Sequence, residues 1–225
     1  MQQIPSFQSR ALKLSIPALL VYFPLGLVFG LVFTQQGFEW FYAPIMSALV
    51  YAGAVQFVAL GMITEHASIW AILLTTVFVA LRNSFYGLSL LDRFNGRWLT
   101  KIFLIFSLVD ATYAILLNYK HPENDLKFCV TVAALVYSYW VLGTLVGALF
   151  AEQLPKITGL DFILTCFFMI LVIDYFMIHR RLKPIVVPVV FSILAYLLLP
   201  QYYLLVATLL CVLYLYMNAK VEANG

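Results

Sequence analysis

Two charged side chains lie deep inside stretches that are otherwise uncharged, and their chemistry sets the first question. Arg82 stands in Leu81-Arg82-Asn83-Ser84-Phe85-Tyr86-Gly87, and Asp110 in Ser107-Leu108-Val109-Asp110-Ala111-Thr112-Tyr113. A charge at the centre of an apolar membrane helix costs about 2.5–3.5 kcal/mol on insertion scales, so it turns toward a partner or a polar path. Arg82 can point inward and pair with a carboxylate, either Asp110 or one carried by a small molecule. Its alternative is to snorkel its head group toward the membrane surface. Asn83 and Tyr86 are polar neighbours that can complete a binding site with it. An apolar setting disfavours the charged form of a carboxyl. Read as a mid-helix residue, Asp110 can therefore take up and release a proton; its alternative is a fixed partner of Arg82.

Further candidates are weaker. Gln56 follows Gly53-Ala54-Val55, and its amide can bond a neighbouring helix or a ligand. Gly53 allows close backbone approach beside it. Pro24-Leu25-Gly26 can break the first helix and free backbone groups for a ligand, as broken membrane helices do. Gly26 with Gly30, and Gly143 with Gly147, have small-xxx-small spacing and read equally as helix-packing faces. Asp161, after Thr158-Gly159-Leu160, sits where a helix cap belongs. Asp174 stands near Arg180, Arg181 and Lys183, where an ion pair accounts for it.

His66, His121 and His179 fall near helix ends, and Cys129, Cys166 and Cys211 are scattered through apolar stretches. Neither set has metal-ligand or disulfide spacing. HExxH, GxSxG and P-loop patterns are missing. The expectation is a protein without metal or cofactor that is not an enzyme.

The elements that must position these residues follow from composition. Of 225 residues, 64% are hydrophobic and 10% charged, with a mean hydropathy of +0.98. Soluble domains are about half apolar and about one-quarter charged, so a water-soluble globule and a disordered chain are both excluded. The class is an all-α polytopic membrane protein, with residues 1–225 as a single integral domain. A net charge of +3 without a basic run gives no footing for nucleic acid. The N-terminus imitates a signal peptide but lacks a small-x-small cleavage site, which predicts an uncleaved first helix.

Low-charge windows place the helices at Leu14–Phe38, Trp40–Thr64, Ala67–Leu91, Ile102–Tyr119, Phe128–Ala151 and Leu160–Ile178. The uncharged Pro184–Ala219 would be roughly 54 Å as one helix, too long for a core of about 30 Å. Pro200 divides it. The count is about eight spans, with seven possible, some of them broken or short. With eight, Arg10, Lys13, Lys120, Lys127, Arg180, Arg181, Lys183 and Lys220 share one side, while Arg93, Arg97, Lys101 and Lys156 lie opposite. The positive-inside rule then places both termini in the cytoplasm.

Several blocks, in order, resemble the AzlC family, the large subunit of bacterial branched-chain amino acid exporters. They are Ile16 through Gly30, Tyr51-Ala52-Gly53-Ala54-Val55-Gln56-Phe57, Leu81 through Gly87, Asp110-Ala111-Thr112-Tyr113, Gly143 through Gly147, and Gly159-Leu160-Asp161-Phe162. Two positions depart from the family pattern. Asn83 stands where a histidine is frequent, and Ala111 where a second acid is. If either missing group carries the proton, coupling falls on Asp110 alone.

The resemblance implies export of Val, Leu, Ile and Met across the bacterial inner membrane, driven by the proton gradient. It also implies a small AzlD-type membrane subunit as partner. On this reading Arg82, Gln56, Asn83, Tyr86, Pro24, Gly26 and Gly53 hold substrate and Asp110 couples the proton. The residues alone leave two other readings open: a passive channel for another small solute, and a non-transporting membrane scaffold.

Overall fold

The computed structural model describes residues 7–90, 93–94, 96–119, 125–154 and 182–199, with scattered positions between 162 and 217. Within these, some side chains, that of Arg82 among them, lie outside the described set, as do Asp161 and Asp174. Every regular element among the described residues is helical. The helices are α1 (Phe7–Gln35), α2 (Tyr42–Val50), α3 (Gly53–Thr64) and α4 (Ile69–Leu90). They are followed by α5 (Trp98–Phe106), α6 (Asp110–Asn118), α7 (Asp125–Phe150) and α8 (Lys183–Leu198). Helix α8 ends at Leu198, and Leu199 leaves the helical region (φ −142°, ψ 75°), which the following Pro200 disfavours for it.

Two helices organise the fold. Among the described residues, Phe7–Gln35 and Leu126–Phe150 are long and apolar enough to cross a bilayer, and α1 lies along α7 in the most extensive helix–helix interface. In lipid the hydrophobic effect does not drive two helices together, so close packing must. Small residues on both helices provide it. A methyl group at Gly30 would strike the Thr144 carbonyl, one at Gly143 the Phe23 carbonyl, and one at Gly147 the Leu27 carbonyl. The two small-xxx-small pairs are therefore the two sides of one backbone-to-backbone seam. Around it, Phe29, Phe128, Val132, Val136 and Trp140 are fully buried.

Helix α1 runs through Pro17 and Pro24 without interruption. The expected break at Pro24-Leu25-Gly26 is absent. An interior proline removes a hydrogen bond and costs about 3 kcal/mol. Pro24 lies on the exposed side of α1, while Gly26 and Gly30 on the other side are locked against α7. The seam holds the helix straight enough to stay one element.

The breaks come elsewhere, in two windows that read as continuous helices. Trp40–Thr64 divides at Tyr51-Ala52. Tyr51 is left-handed (φ 40°, ψ 47°) and Ala52 extended (φ −143°, ψ 91°). A bulky residue in the left-handed region is strained by roughly 1–2 kcal/mol. Its ring is nevertheless fixed, with centroids 4.8 Å from Tyr137 and 6.0 Å from Phe106. Ile102–Tyr119 divides at Ser107–Val109, where α5 and α6 meet at 116°. The Ser107 hydroxyl donates to the Phe103 carbonyl at 2.6 Å, a side-chain bond that competes with helix continuation. Asp110 is consequently the first residue of α6; the mid-helix position expected for it does not occur.

Candidate functional site

Among the described residues, Ser15 Oγ lies 2.9 Å from the Tyr139 hydroxyl across the α1–α7 interface, and three further groups of polar side chains lie inside this apolar frame. The first is a closed ring at the α1–α7 seam. Gln56 is completely buried. Its Oε1 accepts from Trp140 Nε1 at 2.8 Å, and its Nε2 donates to Ser47 Oγ at 3.2 Å. Ser47 Oγ lies 2.9 Å from Thr144 Oγ1, and Thr144 Oγ1 donates to the Trp140 carbonyl at 3.0 Å. The Thr144 hydrogen is thus committed, so Ser47 is the donor to Thr144. Gly53 faces the Trp140 indole, where a methyl would come within 2.8 Å of the ring. Gly26 faces the Trp140 carbonyl, 2.6 Å from a methyl's position. Gln56, Gly53 and Gly26 thus surround one tryptophan, which also meets Phe29 and Tyr22 at centroid distances of 6.2 and 6.1 Å.

The second group surrounds Asp110. Tyr86 donates its hydroxyl to Asp110 Oδ1 at 2.8 Å. Its ring stacks on Tyr113, with centroids 4.5 Å apart and planes 16° apart. The Ala111 N–H donates to the Tyr22 hydroxyl oxygen at 3.4 Å. A carboxylate at the start of α6 also faces the positive end of the helix dipole. Asp110 and Tyr22 line a groove of about 560 Å³ between α1 and α6, walled by Leu14, Pro17, Val21 and Ile115. The far end of α6 is held by Arg93, whose guanidinium donates to the Leu116 carbonyl and, at 2.9 Å, to the Tyr119 carbonyl. The short helix carrying Asp110 is thereby tied at both ends.

The third group is a pair of hydroxyls where the two helix breaks approach each other. Tyr51 at the first break is 2% exposed and Thr112 beyond the second is fully buried. The Tyr51 hydroxyl faces Thr112 and neighbours Tyr22 and Tyr137. The two hydroxyls interact with each other, but neither Tyr51 Oη nor Thr112 Oγ1 reaches a partner in full hydrogen-bond geometry. Tyr137 spends its own hydrogen on the Ala48 carbonyl at 2.9 Å.

The structure brings together Asp110 and Tyr86, and separately Gln56, Gly53 and Gly26. Asn83 is half-buried on α4, one turn before Tyr86, and Pro24 is exposed on α1. Tyr51 and Thr112 escaped sequence reasoning because a tyrosine and a threonine in apolar helices look like ordinary packing residues. The available signal was Gly53, which follows the first break so closely that it could have marked the break itself. Among the described residues, no group of three or more His, Cys, Asp and Glu side chains could hold a metal ion.

Comparison with known proteins places this architecture. The model of the AzlC protein family matches residues 17–154, from the first proline of α1 to the end of α7. The chain belongs to the AzlC family. An uncharacterized membrane protein of Helicobacter pylori is 34% identical over 211 residues, 92% of each chain. The branched-chain amino acid transport protein AzlC of Bacillus subtilis is 32% identical over 174 residues, 76% of this chain and 68% of its own. The inner membrane protein YgaZ of Escherichia coli is 31% identical over 170 residues, 70% of this chain and 68% of its own. No solved structure matches significantly. The family match spans all three polar groups, and the apolar helices and the relatives alike mark a membrane protein.

Proposed function

We propose that the chain is the large subunit of a two-component exporter that moves Val, Leu, Ile and Met across the bacterial inner membrane with a small AzlD-type partner. The observation that carries this reading is the 32% identity to a Bacillus protein named for branched-chain amino acid transport. The relative named as an inner membrane protein supports the location. About eight spans with cytoplasmic termini, as the charge distribution favours, complete the topology.

The proton gradient is the driving force in this reading, and Asp110 is its coupling residue. Asp110 lies at a helix break, bonded to Tyr86 and open to an apolar groove. That setting lets one carboxyl change its partners when it changes its charge. Arg82, Asn83, Tyr86, Gln56 and the glycines Gly26 and Gly53, with Pro24, form the substrate region. Of these, Gln56, Gly53 and Gly26 contribute by shaping the wall around Trp140. The protein transports and performs no covalent chemistry.

The test is reconstitution in liposomes with and without the partner, following labelled leucine under an imposed pH gradient. Uphill leucine movement that needs both partner and gradient is the expected result. Downhill movement alone, indifferent to the gradient, would make the protein a channel. Asp110→Asn is expected to reduce gradient-driven accumulation by about tenfold or more, while leucine exchange at equal pH persists. Unchanged accumulation in that variant would remove Asp110 from the coupling step.

A further inference from the structure

A buried hydroxyl without a partner costs about 1–3 kcal/mol. Among the described residues the interior carries two, Tyr51 Oη and Thr112 Oγ1. They come from different segments, one at each helix break, and they face each other. The break that presents Tyr51 is held in a left-handed conformation that a tyrosine rarely adopts. Cost is therefore concentrated at one point of the molecule, in both backbone and side chains. Such concentration is typical of ligand sites.

The chemistry of the pair selects its ligand. Each hydroxyl has a single hydrogen to donate. A group that only accepts hydrogen bonds, with two oxygens, satisfies both donors at once. An ammonium, which only donates, would leave both hydrogens unpaired. Helix dipoles reinforce the choice. Thr112 lies in the first turn of α6, whose N-cap residue Val109 provides no side-chain cap. Tyr51 immediately precedes Ala52, the equally uncapped start of α3. Tyr51 stands between the C-terminal end of α2 and the N-terminal end of α3, so the positive helix end that favours an anionic group here is that of α6, beside Thr112. The rings of Phe106 and Tyr137 pack against that of Tyr51, and Tyr51 and Thr112 are both buried.

We propose that Tyr51 and Thr112 together bind the carboxylate of the transported hydrophobic amino acid, at the point where the two broken helices meet. This rests on the amino acid transport reading given above and names the subsite within it. Tyr22 joins the pair to the groove, since its hydroxyl serves Ala111 on one side and neighbours Tyr51 on the other. Thr112 lies two residues after Asp110, in the same first turn of α6.

Thermal unfolding of the purified protein, with its partner, is measured against leucine, 4-methylpentanoate and 3-methylbutylamine. The second ligand keeps the carboxylate and lacks the amine; the third keeps the amine and lacks the carboxylate. Leucine and 4-methylpentanoate are expected to stabilise the wild type, and the amine is not. Tyr51→Phe and Thr112→Val keep shape and remove one hydroxyl each. Each is expected to weaken both carboxylate ligands by about tenfold or more, the loss typical of a hydrogen bond to a charged group. Both variants should retain the wild-type melting temperature without ligand, which separates lost binding from lost folding. Equal affinity in wild type and folded variants would overturn the subsite while leaving amino acid transport standing. Stabilisation by the amine alone would overturn the carboxylate assignment. If none of the three ligands binds the wild type, the subsite and the amino acid reading fall together.

Discussion

The ring of Gln56, Ser47, Thr144 and Trp140 and the pair of Tyr51 and Thr112 are both buried and polar, in the same apolar interior. The ring is closed: every side chain in it has a hydrogen-bond partner within the ring. The pair is open, and neither hydroxyl has one. A closed network costs little to bury and rigidifies what it joins, here α2, α3 and α7. An open pair stabilises nothing by itself and has bonding capacity left over. Polar residues in a membrane interior therefore divide by their bonding state. Residue type alone does not distinguish the two roles.

Substitutions sharpen that division. The largest effect is expected at the seam beneath both groups. Gly147→Val adds side-chain atoms where even a methyl meets the Leu27 backbone. Separation of α1 from α7 should leave little folded protein, seen as loss of the monodisperse peak in size-exclusion chromatography. Next comes the ring. Gln56→Leu strands the Trp140 indole N–H, while Ser47 keeps its bond to Thr144, and should cost about 1–3 kcal/mol, the penalty of one stranded buried group. A fall in melting temperature checks this, and an unchanged melting temperature would show that the ring is not structural. Ser47→Ala opens the ring at one point, stranding a single Gln56 hydrogen. A loss of about 1 kcal/mol is expected. The smallest effect on stability belongs to Tyr51→Phe and Thr112→Val, expected within about 0.5 kcal/mol of wild type, because no bond is broken. If those two destabilise as much as Gln56→Leu, the distinction between closed and open groups fails.

Much of the architecture was legible in the sequence. The uncharged windows mark the helices, and Pro200 marks the end of α8, because both act locally. Gly26, Gly30, Gly143 and Gly147 were visible as small-residue faces, though not as two sides of the same seam, since spacing along one helix does not name its partner. Proline misled at Pro24: the expected helix break is prevented by packing on the opposite side of α1. The actual breaks contain neither glycine nor proline, only Tyr51-Ala52 and Ser107-Leu108-Val109. Gly53 beside the first is the one local hint, and nothing local marks the second. At the first, the rings of Phe106 and Tyr137 pack against Tyr51; at the second, the Ser107 hydroxyl and N–H both close on the Phe103 carbonyl as α5 ends. Asp110 stands out in the sequence by its charge, and its place at the start of α6, in contrast to the expected mid-helix one, follows from the second break.

By itself, the sequence determined that this is a helical membrane protein, because transfer from water to lipid sums residue by residue along the chain. It also determined that Asp110 and Arg82 are expensive residues whose presence requires a reason. Only the tertiary structure decided where the helices break and that Gln56 is bonded on both sides while Tyr51 and Thr112 are not. Hydrogen-bond satisfaction is a property of pairs, and the residues that meet here come from segments far apart in the chain: Gln56 finds Trp140 and bonds it, while Tyr51 faces Thr112 without closing a bond.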